Sequence, residues 1–201
     1  MAARLYPTLY TKSVYRINFE QLYADGYRGL IFDIDNTLVT HGAPANGRAK
    51  RLFERLKRIG FTCCLLSNNK EPRVKMFNDA VHVNYVFDAH KPSPDGYRYA
   101  MEIMGTDKRN TLFIGDQIFT DIFGANRAGI SSILVRYIHW KEEIQIVLKR
   151  RLEFFVLLFY RMYVKRQDPS DRKSAAWWEA RYVNGGRSPE SEGEGEGETD
   201  L

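Results

Sequence analysis

Cysteine is scarce in this 201-residue chain, which has only Cys63 and Cys64, side by side in an apolar run. Successive side chains on a strand point to opposite faces, so these two are not placed to pair, and two thiols do not make a zinc site. A disulfide framework is therefore not expected, and buried, reduced thiols in a cytosolic protein are. Long hydrophobic runs are missing as well. None reaches the roughly 18 apolar residues of a membrane-spanning helix. The first residues, with Tyr6, Pro7, Thr8 and Lys12, lack the apolar stretch of a secretory signal. The four histidines, His41, His82, His90 and His139, have no metal-ligand spacing and read as structural or exposed. No nucleic-acid-binding motif is present, and no nucleic-acid partner is expected. The expected location is cytoplasmic, with peripheral attachment to the inner face of a membrane left open.

Charge is unevenly spread. The total is +5, but residues 185–201 hold six acids against Arg187 alone, which leaves +10 on residues 1–184. A basic body favours anionic partners without choosing among them. A hydrophobic fraction of 44% suffices for a sizeable core, and the length suits one domain with something appended.

The middle of the chain alternates short apolar runs with helix-period segments. Gly29-Leu30-Ile31-Phe32-Asp33-Ile34-Asp35 reads as a buried strand ending in carboxylates. Ala49, Leu52, Phe53, Leu56 and Ile59 recur at helical spacing over residues 46–59, with Gly60 as the stop. Further strands are expected at 61–66, 83–87, 111–114 and 132–135. Helices are expected at 70–80, with Pro72 in the first turn, at 94–104 and at 120–128. Five strands alternating with helices predict an α/β fold, a doubly wound, mostly parallel five-stranded sheet, with ligands beyond the carboxyl ends of its strands.

Polar residues gather just after four of these strands: Asp33 and Asp35, Ser67 and Asn68, Lys91 a little further on, then Asp116 and Asp121. Singly they are ordinary. Ser67-Asn68 makes a turn, Lys91-Pro92 a loop, and Asp121 could simply enrich a helix start in negative charge. Together they place carboxylates, a hydroxyl and an ammonium around one sheet edge, which is costly without a cation and an anionic ligand. Oxygen ligands from Asp33 and Asp116 suit magnesium.

These segments, Asp33-Ile34-Asp35-Asn36-Thr37, Ser67-Asn68-Asn69, Lys91-Pro92 and Gly115-Asp116-Gln117-Ile118-Phe119-Thr120-Asp121, resemble the four motifs of the haloacid dehalogenase superfamily, in order. The finer likeness is to its class IIIA branch, the YqeG-type phosphatases related to mitochondrial phosphatidylglycerophosphatase. It covers residues 5–136 and includes Leu5-Tyr6-Pro7 and Lys12-Ser13-Val14-Tyr15. The resemblance implies a Rossmann-like sheet and an aspartyl-phosphate mechanism. Asp33 would be the nucleophile and a magnesium ligand. Asp35 would be the acid–base group, its backbone carbonyl also on the metal, and Thr37 would orient that region. Ser67, with Asn68 or a nearby amide, would bind phosphoryl oxygens. Lys91 would neutralise charge, Asp116 would complete the metal site, and Asp121 would steady Lys91 or a metal-bound water. Where family members often carry aromatic or proline residues after the first motif, this chain has His41-Gly42.

About 30 residues separate the first two motifs, room for one helix and one strand, and the next gap is equally full, so no cap domain is expected. Beyond residue 140 the pattern changes. Lys149-Arg150-Arg151 precedes Phe154-Phe155-Val156-Leu157-Leu158-Phe159-Tyr160, and Arg161, Lys165 and Arg166 follow. That run must be buried somewhere, either on the protein or in an anionic membrane surface. Trp177 and Trp178 suit either an interfacial anchor or a small packed helix. The expected organisation is a catalytic domain at 1–139, a helical extension at 140–184 and a disordered acidic tail at 185–201. The resemblance makes phosphatidylglycerophosphate the leading substrate. The alternatives are a soluble phosphatase for a nucleotide, sugar phosphate or phosphoprotein, and a non-enzymatic protein binding anionic surfaces.

Overall fold

The central strand, β2 (Gly29–Phe32), is buried at all four residues. An apolar run this short can be covered on both faces only inside a layered sheet. In the computed structural model, which describes residues 2–138, 144–168, 170–172 and 174–183, it lies in a six-stranded sheet. The other strands are β1 (Leu9–Thr11), β3 (Thr62–Leu66), β4 (Asn84–Val86), β5 (Thr111–Gly115) and β6 (Ser131–Val135). Their spatial order is β1-β6-β5-β2-β3-β4, and every pairing is parallel. The five expected strands are present. The sixth, β1, adds in register along β6, pairing Leu9 with Ile133. Three residues are too few to show a period, which is why the sequence did not reveal it.

The strand alternation divides the core. Leu30, Phe32, Cys63, Leu65, Leu112 and Ile114 face one side, with α1 (Phe19–Ala24), α2 (Gly47–Ile59) and α3 (Glu71–Asn78) over them. Ile31, Cys64, Leu66 and Phe113 face the other, under α4 (Asp95–Met104) and α5 (Phe123–Ala128). The two cysteines are free, buried and on opposite faces, as strand geometry requires. Helix α2 forms where its spacing indicates. Asn46 accepts the Ala49 N–H at 2.9 Å, and Gly60 ends the helix at φ 110°, a left-handed turn that glycine takes without strain.

The predicted helix at 120–128 begins differently. A single π-helical stretch, Ile118–Ile122, precedes α5. Such stretches are frequent at functional sites, and this one carries Asp121.

Beyond β6, α6 (Ile144–Val164) and α7 (Ala175–Tyr182) return to the domain. Helix α6 lays Val156 and Leu157 against Ile118, Ile122 and Leu134. Its Glu153, 7% exposed, accepts the Ile118 N–H at 2.7 Å. Helix α7 buries Trp178 and Tyr182 in the main core, and Val183 bridges to Ile17. Trp178 packs on Tyr27 and Tyr182, so its aromatic surface serves packing rather than interfacial anchoring. Part of the expected extension, residues 174–183, is thus integral to the core. The acidic tail, 185–201, lies outside the described residues. No helix among the described residues is long and apolar enough to cross a membrane.

Candidate active site

The chain runs from β2 outward to β3 and β4, then returns to β5 on the other side of β2. The carboxyl end of β2 is therefore the switch point of the sheet. Asp33 is the first residue past it, and its N–H still bonds to Ile114 O at 2.9 Å. Ser67 follows β3, and Asp116 follows β5.

Asp33, Asp116 and Asp121 are all buried, and each offers an oxygen within 4.8 Å of the others. Lys91 joins them. Its Nζ lies 2.6 Å from Asp33 Oδ1 and 2.7 Å from Asp121 Oδ1. Burial, opposed by Lys91 and reinforced by the Asp121 charge, raises the Asp33 carboxyl to about 7. Burial alone would lower the Lys91 ammonium, but Asp121 and Asp33 outweigh it and raise it. One ammonium among three carboxylates leaves a buried excess of negative charge. That is the environment a small hard cation fits.

Asp121 reaches the cluster by turning back on its own loop. Its Oδ2 accepts the N–H groups of Asp116 at 3.1 Å and Gln117 at 3.0 Å, while Tyr97 Oη donates to its carbonyl at 3.0 Å. Gly115 makes room for this, since a Cβ there would lie 2.5 Å from Asp121 Oδ2. Thr37 Oγ1 donates to Asp116 Oδ1 at 3.4 Å.

The side chain of Asp35 is not among the grouped carboxylates. The carboxyl groups that converge are those of Asp33, Asp116 and Asp121. Past β2 the chain turns, with Asn36 left-handed at φ 61° and Leu38 N–H bonded to Ile34 O, so the strand alternation no longer holds. Asp35 Oδ1 accepts from Gly42 N at 2.7 Å and Arg73 Nη2 at 2.8 Å, and Oδ2 from Asn69 Nδ2 at 2.7 Å. His41 Nδ1 is 3.8 Å away. Asn68 also differs from expectation. Its amide takes Lys91 N–H at 2.6 Å and donates to Lys91 O at 3.1 Å, so this side chain positions the lysine backbone. Ser67 Oγ, nearly inaccessible, accepts the Asn69 N–H.

Arg73 was not singled out from the sequence. It sits in the first turn of a helix, where a cation opposes the helix dipole, and that was the one local signal; its partner is 38 residues away. Glu153 was missed because it stands between a basic cluster and the apolar run, where an acid reads as a solvated charge, and its partner Ile118 is 35 residues away. Asp33, Asp35, Ser67, Lys91, Gln117 and Thr120 line an open cleft of about 200 Å³. Such a space takes a phosphoryl-sized head rather than a whole drug-sized ligand. Among the described residues no cap domain stands between β2 and β5.

A parallel sheet with a carboxylate–lysine cluster at its switch point is what the resemblance to the haloacid dehalogenase superfamily implies. Residues 89–137, from the loop of Lys91 to the end of β6, match the HAD-hydrolase-like family model. The chain is 36% identical over 130 residues to YqeG of Bacillus subtilis, a probable phosphatase, covering 64% of this chain and 76% of that one. It is 26% identical over 162 residues to the chloroplastic/mitochondrial phosphatidylglycerophosphate phosphatase 1 of Arabidopsis thaliana, covering 75% of this chain and only 47% of that one. A haloacid dehalogenase-like hydrolase of Bacteroides fragilis superposes with a TM-score of 0.48 at 17% identity, over 60% of this chain and 93% of that one. The chain belongs to the YqeG-type phosphatases of the haloacid dehalogenase superfamily, which are phosphoric monoester hydrolases.

Proposed function

We infer that this phosphatase works through a covalent intermediate on Asp33 and that its substrate is a phospholipid monoester, phosphatidylglycerophosphate. The observation that carries the mechanism is the buried group of Asp33, Asp116 and Asp121 around Lys91 Nζ. Asp33 and Asp116, with the backbone carbonyl of Asp35, would hold Mg2+, and Asp121 stands behind them on Lys91. When bound, the ion supplies positive charge that keeps Asp33 ionised and offsets its repulsion from a dianionic phosphate.

Asp33 Oδ attacks phosphorus, and the bond to the leaving oxygen breaks. Asp35 gives that oxygen its proton, releasing the alcohol. Asp35 then takes a proton from water, which attacks phosphorus and frees Asp33 and inorganic phosphate. Lys91 neutralises charge on the phosphoryl oxygens as the bonds exchange. Ser67 and the amides of its turn bind those oxygens, Asn68 fixes Lys91, and Thr37 holds Asp116.

Three observations favour a lipid. The cleft is open and small, so only the head of a substrate needs to enter. The similarity to the plant phosphatidylglycerophosphate phosphatase runs over 75% of this chain. Helix α6 turns Leu152, Phe154, Phe155, Leu158, Phe159, Met162 and Tyr163 outward, each at least 46% exposed, with Arg161, Lys165 and Arg166 also exposed. An apolar helix face bordered by cations suits the surface of an anionic membrane.

Phosphate release from phosphatidylglycerophosphate in mixed micelles, compared with common soluble phosphates, tests this reading. Activity is expected to require Mg2+, to vanish with chelator and to fall at least about a thousandfold in Asp33→Asn, as loss of a nucleophile entails. Faster release from soluble esters together with no binding to vesicles would replace the lipid by a soluble phosphate. Full activity in Asp33→Asn would end the mechanism.

A further inference from the structure

Resting on the phosphatase reading, one question is what the leaving group must look like. The group that protonates the leaving oxygen must touch it, so the alcohol part of the substrate lies beside Asp35. The surroundings of Asp35 are all donors. They are the Gly42 N–H, the Asn69 amide, the Arg73 guanidinium and, at 3.8 Å, His41. Arg73 is the unusual member. Its side chain is 15% exposed, and only one of its donor atoms, Nη2, is seen to be used, on Asp35. Its Nε and Nη1 are buried and have no hydrogen-bond partner among the described residues. A guanidinium offers five donors in a planar fork that matches the oxygens of a phosphate or carboxylate, and leaving its donors unmet inside a protein is costly. Nearby cations are already committed. Lys91 spans Asp33 and Asp121, and the exposed Lys70 pairs with Asp88.

We propose that Arg73 is a specificity residue that binds a second anionic group carried by the leaving alcohol, so that the enzyme selects phosphomonoesters whose alcohol bears another phosphate or a phosphodiester. Turning the guanidinium toward that anion meets its open donors. It also releases one of the hydrogen bonds on Asp35 Oδ1, which frees that oxygen toward the leaving group. A phosphodiester-bearing lipid and a soluble bisphosphate share this chemistry, and neutral alcohols lack it.

The test uses a matched pair, propane-1,3-diol bisphosphate and propane-1,3-diol monophosphate, hydrolysed by the full chain with Mg2+. The wild type is expected to favour the bisphosphate in kcat/KM by about tenfold or more, the scale of a charge-assisted hydrogen bond and well above the twofold statistical advantage of two equivalent ends. In Arg73→Gln the ratio should fall to about two. Arg73→Lys, which keeps the charge and loses the fork, should lie between. Lys70→Gln, which removes an exposed charge nearby, should keep the wild-type ratio. Far-UV circular dichroism confirms that each variant is folded, and a ratio is insensitive to a general loss of active protein. An unchanged ratio in both Arg73 variants overturns the proposal and leaves the phosphatase standing. Equal turnover of the two esters by the wild type does the same. No turnover of either soluble ester or of phosphatidylglycerophosphate in micelles sinks the phosphatase reading and this inference with it. A lipid-source arm, in which phosphatidylglycerophosphate in micelles shows the same Arg73 dependence, distinguishes the lipid headgroup from the soluble anion.

Discussion

At the scale of single residues, the site depends as much on an absent side chain as on those present. Asp121 reaches Lys91 and the amides of Asp116 and Gln117 because Gly115 has no Cβ. Gly115→Ala would put a methyl group 2.5 Å from Asp121 Oδ2, against backbone held in the sheet on both sides. Either the carboxylate or the strand must move. The expected outcome is a loss of at least about tenfold in kcat and a destabilisation on the order of 1–3 kcal/mol, read from phosphate release and urea unfolding. Wild-type values for both would show that Asp121 need not sit where it does. The residues after β2, β3 and β5 were legible in the sequence because their types and order recur as motifs. Arg73 was not, because its meaning depends on facing Asp35 across a fold that spacing alone does not reveal.

At the scale of elements, legibility followed length and autonomy. Helix α2 carries its own signals, a capping asparagine, an apolar stripe and a terminal glycine, and it formed within a residue of expectation. Strand β1 has three residues and exists because β6 is beside it. The π-helical stretch accompanies the turn of Asp121 back onto its own loop. Helix α7 is a further case, since Trp178 is buried by Tyr27, a residue far away in the chain. That docking is expected to depend on pH. Arg181, followed by Tyr182, holds the Asp25 carboxyl down from 3.8 to about 2. Because the folded value is depressed, the contribution is complete above about 3.8 and is lost as pH falls towards 2. Tryptophan fluorescence should therefore report loosening of α7 across that window, and Arg181→Gln should remove the dependence. A flat signal in the wild type from pH 4 to pH 2 would contradict it.

At the scale of the whole molecule, one side of α6 faces the protein and the other faces out. The outward side chains are already about half buried, and each would gain roughly 1 kcal/mol on full burial. Replacing Phe155 and Phe159 by serine is expected to weaken sedimentation with anionic vesicles by about tenfold or more. Hydrolysis of a soluble ester should change by less than about twofold. Equal vesicle binding by the variant would remove α6 as the membrane face. The sequence showed that this segment needed a covering surface. It could not say which side of the helix would find one, since all seven residues from Phe154 to Tyr160 are apolar.

The inward side of α6 carries the hydrogen bond from Ile118 N–H to Glu153, at the very start of the stretch that aims Asp121. Outer helix and catalytic loop are therefore jointed like a handle and its latch. A chain cut after residue 139 would forfeit the acceptor that Ile118 uses, and with it a fixed point of the loop. Motion of the handle would reach the latch through that carboxylate and through Val156 and Leu157, which pack on Ile118 and Ile122.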